Sequence, residues 1–577
     1  MNNETKIHSQ SSVSTNCQNC KKDFVIEPED FNFYEKIKVL PPTFCPECRS
    51  VRRMICANER VFYKRKSDLG GQDIFSMYPS DTPFPVYETK EFYSDEWDPY
   101  QYGAEYDFSR PFFKQFQELF NKVPRMALVR QGFSINSEYT HRVHDLKNCY
   151  MVFRASDCED SLYIYTALGV NNCVDCFNVN FSELCYECID CNKCYKTTFS
   201  QECAECRDSM FLYACRNCSN CVGCVNLVNQ EYYIFNQKYS KEDYLKKLEN
   251  LKLNTVSGIF AMNKEFSDFR KKFPQKAVVS LKSNKVSGNW FTNCENVKNS
   301  FGCVNLKDCR YIYFAFNEED CMDHFQWGDS SELIYESANC GINDSRILFC
   351  SQCWSGAHDL FYCDSCPSSS YCFGCIGLKK GEYAILNKKY SKEEYEEIVP
   401  KIIKHMSEMP YIDKQGRNYK YGEFFPADTS PFAYNETAAI DFYPLSKDEA
   451  LTRGYRWKDR EKKNYQTTTQ SRDLPETIAE VDSAILNEII ECAEKDSPDS
   501  IGAFRITANE LSFYRRMDLP LPRVCFDIRH TRRLQKRPSL RTIKRFCSKC
   551  KTEVETVYDE KYSPIIFCEK CYQQEVY

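Results

Sequence analysis

No stretch of this 577-residue chain reaches the run of about twenty apolar residues that a bilayer span requires. The opening segment, MNNETKIHSQSSVSTN, is polar and carries no apolar core of the kind a secretion signal needs. The chain is therefore expected to be cytoplasmic, with no membrane partner. GxxxxGK[ST], GxGxxG after a strand and HExxH are all absent, which points away from nucleotide, dinucleotide and zinc-protease chemistry. No paired catalytic carboxylates and no recognisable cysteine nucleophile stand out, so the expected protein is not an enzyme. His141 and His144 bracket the start of a cysteine array, where local hydrogen bonding explains them as readily as a metal does.

Cysteine, by contrast, is abundant: 36 residues. Without a secretion signal, that number favours thiolates on metal over disulfides. Fourteen of them lie between Cys149 and Cys224, all in one class modulo three. They resolve into CxxC pairs at Cys173/Cys176, Cys185/Cys188, Cys191/Cys194, Cys203/Cys206, Cys215/Cys218 and Cys221/Cys224. A second array runs from Cys294 to Cys375; it includes Cys363, Cys366, Cys372 and Cys375, while Cys340, Cys350 and Cys353 leave its frame. Aromatic and β-branched residues between the cysteines fit short strands turning every few residues, as in a narrow β-solenoid of about twelve residues per coil. At this level the array thiols have three readings: zinc ladders, disulfides, or small buried packing residues. Ser200, Thr197 and Leu212, on the same lattice, favour packing.

Two internal repeats organise the chain. GCVNLVNQEYYIFNQKYSKEDYLKKL (223 to 248) returns as GCIGLKKGEYAILNKKYSKEEYEEI (374 to 398) at an offset of 151, each followed by a helix with a capping-box start at Ser240 or Ser391. FVIEPEDFNFYEKIKVLPPTFCPECRSVRRM (24 to 54) returns without gaps at an offset of 480 as FRITANELSFYRRMDLPLPRVCFDIRHTRRL. The expected architecture is multidomain and mainly β with some α. An N-terminal zinc ribbon with a basic tail (1–60) leads through an α/β connector (61–140) to array 1 (141–228). A helical spacer (229–287), array 2 (288–378) and its closing helix (379–410) follow. A connector (411–475), a degenerate basic ribbon (476–540) and a C-terminal zinc ribbon (541–577) complete the chain.

Zinc prefers four soft ligands in a tetrahedron, and two CxxC knuckles supply them. Cys17, Cys20, Cys45 and Cys48 form one such set, and Cys547, Cys550, Cys568 and Cys571 another. Both are closed structural sites for Zn²⁺. In the degenerate copy only Cys492 and Cys525 remain, too few for a metal.

Charge is concentrated at the ends. Residues 502–551 carry a local net of +11 and residues 49–66 a net of +6, on a chain whose total is −6. The leading functional expectation is nucleic-acid binding, to RNA or a ribonucleoprotein, with Arg49, Arg52, Arg53, Arg529, Arg532, Arg533, Arg541 and Arg545 on phosphates. The competing reading pairs these arginines with the chain's own acidic body. The runner-up function is a structural scaffold that binds protein along the duplicated cysteine-rich solenoid arrays, and a thiol redox or metal-buffering role stands third.

The segments PPTFCPECRSVRRM, LKNCYMVF, SPFAYNETAA, LSFYRRMDLPLPR and IIFCEKCYQQEV resemble those of an uncharacterised group of cysteine-rich zinc-ribbon proteins from environmental genomes. The resemblance covers nearly the whole chain and implies zinc ribbons without an activity. Similar chains sometimes carry a CaiB/BaiF label; such an enzyme uses an aspartate in a glycine-rich α/β fold, whereas this chain has 19 glycines.

Overall fold

The computed structural model describes residues 12–459 and 465–576; most of the polar opening segment, residues 1–11, lies outside the described residues. The chain is multidomain, with many short strands and twelve α-helices among the described residues. No helix among the described residues is long and apolar enough to cross a membrane. Two compact units form: Met1–Ala127 with Val278–Lys458, and Leu128–Ala277 with Asp459–Tyr577. Each contains one cysteine array and one chain terminus.

In the second unit, strands Thr140–Lys147, Tyr150–Glu159, Leu162–Leu168 and Val174–Asn180 pair in parallel at an offset of twelve residues. The ladder continues through single bridges such as Val174 to Tyr186 and Gln201 to Tyr213. The cause of the short period is visible in the backbone. Nearly every third residue takes a left-handed φ near +50°, from Arg142 to Phe235, so the chain turns a corner after each three-residue side. Non-glycine residues resist this conformation at about 1–2 kcal/mol each, which favours Asn and Asp at such sites. Asn172, Asp175, Asn178, Asp190, Asn217 and Asn220 occupy them here. The cost is offset by backbone bonds to the next turn, such as Leu162 N–H to Cys173 O and Val174 N–H to Cys185 O, both 2.9 Å. From Val143 to Cys224 the residue after each corner is buried, and the array cysteines hold this position in one continuous core.

The first unit repeats this ladder over residues 280–389, opening with an offset of eleven at Ser280–Phe291 before settling at twelve. Its offset lengthens to thirteen at Glu318–Ser331, Glu332–Ser345 and Ser345–His358, and returns to twelve at His358–Ser370. One extra residue in each of three turns explains why Cys340, Cys350 and Cys353 leave the frame and why Cys363 rejoins it. Each ladder ends in a hairpin, Glu231–Ile234 with Gln237–Lys238 or Glu382–Ile385 with Lys388–Lys389. Helices Lys241–Leu251 and Lys392–Glu408 follow, their first turns capped by Ser240 and Ser391.

The connector expected over 61–140 differs from expectation. Residues 63–93 fold as the C-terminal ribbon does: hairpin Tyr63–Lys66 with Asp73–Ser76, strand Val86–Tyr87, helix Thr89–Tyr93. The C-terminal ribbon has hairpin Ile543–Phe546 with Glu553–Thr556, strand Ile566–Phe567 and helix Glu569–Val576. The 480-residue repeat therefore extends beyond residue 54, and the chain carries four ribbon modules.

Candidate metal centres and arginine docks

The first knuckle of each set forms the same turn, and the second sits at the start of a helix. Cys17 N–H donates to Lys22 O at 2.9 Å and Cys547 N–H to Thr552 O at 2.8 Å, with Lys21 and Lys551 in the left-handed region. The sulfurs of Cys17, Cys20, Cys45 and Cys48 all lie within 4.8 Å of one another, as do those of Cys547, Cys550, Cys568 and Cys571. Cys20 and Cys45 are 3.7 Å apart, Cys550 and Cys568 likewise. A tetrahedron of sulfurs at about 2.3 Å from zinc has edges of about 3.8 Å, so the donor sets fit a tetrathiolate metal. Crowded thiols share protons. Hydrogen bonds from Cys45 and Cys48 hold the Cys17 thiol far below its ordinary range, while the same bond pushes Cys45 up to about 12. Hydrogen bonding to Thr552 brings Cys550 down to about 6. Backbone N–H groups of Cys45 and Cys568 donate to Cys17 and Cys547 Sγ at 3.2 and 3.4 Å, the usual support for a bound thiolate. Each cluster could hold a metal ion.

The other two ribbons show what replaces a metal. In the module at 63–93, Ser67, Gly70, Glu88 and Glu91 stand where Cys547, Cys550, Cys568 and Cys571 stand 480 residues later. Ser67 N–H still closes the knuckle on Gln72 O at 2.9 Å. Ser67 Oγ donates to Glu91 Oε2, Gln72 Nε2 donates to Glu91 Oε1 at 2.8 Å, and Glu88 N–H reaches Glu91 Oε2 at 3.0 Å. A hydrogen-bond network occupies the metal position, and a Cβ at Gly70 would lie 2.1 Å from Glu91 Oε1. In the degenerate module, Cys525 N–H donates to Cys492 Sγ at 3.3 Å and Ser500 Oγ lies 3.8 Å from Cys525 Sγ. Ile528 completes the set, and Cys492, Val524, Cys525 and Ile528 pack as a small apolar core.

The array cysteines Cys173, Cys176, Cys185, Cys188, Cys191, Cys194, Cys203, Cys206, Cys215, Cys218, Cys221 and Cys224 are buried free thiols, and so are Cys363, Cys366, Cys372 and Cys375. Among the described residues, no three of them have their sulfurs mutually within 4.8 Å. Their contacts are those of a packing residue. Cys191 Sγ donates to Ile189 O at 3.4 Å and lies 3.6 Å from Ser200 O. Thr197 Oγ1 makes the same two contacts, to Tyr195 O and Cys206 O, each at 3.2 Å. Ser200 Oγ bonds Thr198 O at 2.9 Å, and Leu212 fills the position without a donor. A short side chain that satisfies a nearby carbonyl is what this position selects.

Five of the eight arginines expected at phosphate are buried against carboxylates instead. In the first unit, helix Pro46–Met54 lays Arg49, Arg52 and Arg53 on the ladder. Arg49 pairs with Asp323 at 2.8 Å, Arg53 with Asp323 and Glu336 at 3.1 Å each, and Arg52 with Glu336 at 2.9 Å and Glu423 at 3.0 Å. In the second unit, helix Phe526–Gln535 repeats the arrangement. Arg529 and Arg533 each meet Asp175 at 2.9 Å, and Arg533 meets Glu187 at 2.7 Å. Arg537 adds Asp190 at 3.0 Å. All five predicted arginines in these docks are at most 5% exposed, so none presents to a phosphate backbone in this fold. Despite burial, opposing carboxylates hold the Arg49 and Arg529 guanidinium groups above their ordinary range. Arg532 is exposed beside Glu494, Arg541 is exposed, and Arg545 donates to the carbonyls of Tyr558, Ser563 and Pro564.

The arginines stand out in the sequence as basic runs, whereas their receptors do not. Asp175 and Asp323, Glu187 and Glu336 occupy matching places in two ladders whose extra residues hide the correspondence. No protein-family model and no curated protein matches this chain.

Proposed function

We propose that this protein is a zinc-dependent, non-catalytic scaffold that binds protein along two narrow β-solenoids. In this reading the twelve-residue parallel registers are solenoid turns, ended by a hairpin and a helix, and zinc fills the two tetracysteine clusters. The observation that carries it is the use of both terminal arginine clusters inside the molecule, against Asp323 and Glu336 in one unit and Asp175 and Glu187 in the other. One solvent rung of the second ladder is uncharged or acidic: Asn293, Asn305, Asn317 and Asp329 bond one another in series at 2.7–2.9 Å. That rung offers a polyanion no counter-charge.

Titration with single-stranded and duplex RNA at about 50 and 200 mM salt tests the reading. A scaffold shows only weak association. Tight binding that falls steeply with salt, and is lost on Arg532→Ala with Arg541→Ala, would overturn it and restore the nucleic-acid reading.

A further inference from the structure

The buried third-residue positions of the second ladder hold only Cys, Ser, Val, Leu, Ile or Ala from Cys294 to Ala315. The next three are Glu318, Cys321 and His324, and the frame breaks immediately afterwards. No position on the buried lattice of the first ladder between Thr140 and Leu227 carries a charged side chain. Glu318 and His324 have fully buried side chains, joined by a 2.6 Å contact from His324 Nδ1 to Glu318 Oε1. Glu318 Oε2 and His324 Nε2 have no hydrogen-bond partner. Gly328 makes room for the pair: a Cβ there would lie 1.7 Å from Glu318 Oε1 and 2.8 Å from His324 Cε1. A buried carboxylate oxygen without a partner is costly, and a core that needed only packing would not keep one.

Two sulfurs face this carboxylate. Cys309 Sγ, Cys321 Sγ and a Glu318 carboxylate oxygen all lie within 4.8 Å of one another. Among the described residues, no other two array thiols lie mutually within 4.8 Å of a carboxylate oxygen. We propose that Cys309, Cys321 and Glu318 bind a further zinc ion inside the second ladder, with His324 as the positioning residue that fixes the carboxylate.

Thiolate and carboxylate donors at this separation suit a d¹⁰ ion without a strict geometry, and a water completes a tetrahedron built on three protein donors. Binding breaks two S–H bonds, forms two Zn–S bonds and releases two protons to solvent. The ion then cancels two of the three negative charges it gathers. The inference is independent of the terminal clusters.

Zinc analysis and native mass spectrometry of the full chain test it. The expected content is three zinc ions, falling to two in Cys309→Ser/Cys321→Ser and in Glu318→Gln. The cobalt-loaded chain should lose a sulfur-to-cobalt charge-transfer band in the double cysteine variant beyond the band lost in Cys17→Ser/Cys20→Ser. A wild-type content of two, lost entirely through the terminal cysteines, would overturn this inference and leave the terminal sites standing. Loss of a terminal ion with the interior one retained would do the reverse. If the double variant fails to fold, anomalous scattering at the zinc edge from wild-type crystals decides: a peak between Cys309 and Cys321 Sγ supports the site, and its absence rejects it.

Discussion

Arg532 and Arg533 are neighbours in sequence with opposite surroundings. Arg533 is fully buried between Asp175 and Glu187, whereas Arg532 shares a solvent-exposed contact with Glu494. Removing a buried partner leaves carboxylates without a counter-charge, at a cost of about 3–5 kcal/mol. Removing an exposed one changes little, about 0.5 kcal/mol or less. Urea unfolding should therefore show a large loss for Arg533→Ala and almost none for Arg532→Ala. Equal effects would mean that the dock is not formed. The basic runs were legible in the sequence, but not which arginines are buried. Exposure follows from which side of a helix meets the ladder, and the receptor Asp175 lies 358 residues before Arg533.

The cysteine lattice was the most legible feature, because a three-residue side forces identical demands on every third residue. Burial and a nearby carbonyl select Cys, Ser or Thr, and the left-handed corner before it favours Asn and Asp. What the lattice could not reveal was whether the thiols bind metal, since packing and metal columns share one spacing. The contacts of Thr197 and Ser200, identical in kind to those of Cys191 and Cys203, favour packing. Cys203→Ser should then cost no more than about 1–2 kcal/mol in urea unfolding, since a hydroxyl can make the same bond to Gln201 O. Collapse of the fold on this change would mark Cys203 as a ligand instead.

Four ribbons on two ladders give the protein its larger organisation. The N-terminal pair belongs to the unit holding the second ladder, and the C-terminal pair to the unit holding the first. One ribbon in each pair has a tetracysteine cluster; in the other a network around Glu91 or a small apolar core around Ile528 stands in its place. Stability should therefore be divided. A chelator should melt the two cysteine ribbons while the ladders, held by backbone bonds and buried thiols, keep most of the far-ultraviolet β signal. After chelation, an alkylating reagent should label the ribbon cysteines first, beginning with exposed Cys550, and reach the buried array cysteines only in denaturant. Rapid native labelling of the arrays would favour a thiol-exchange role.

Periodicity, the two duplications and the paired CxxC knuckles are properties of local spacing, so the amino-acid order was enough to establish repeated ladders and two tetracysteine clusters. The cysteine-free ribbon at 63–93 kept the 480-residue register but lost the residue type that draws attention to it. Folding alone settled which carboxylates receive the arginines, that the thiols of the arrays are buried, and that Glu318 and His324 are buried together beside two sulfurs. Those outcomes depend on desolvation and on distances of a few ångströms between residues far apart in the chain, which no local pattern encodes.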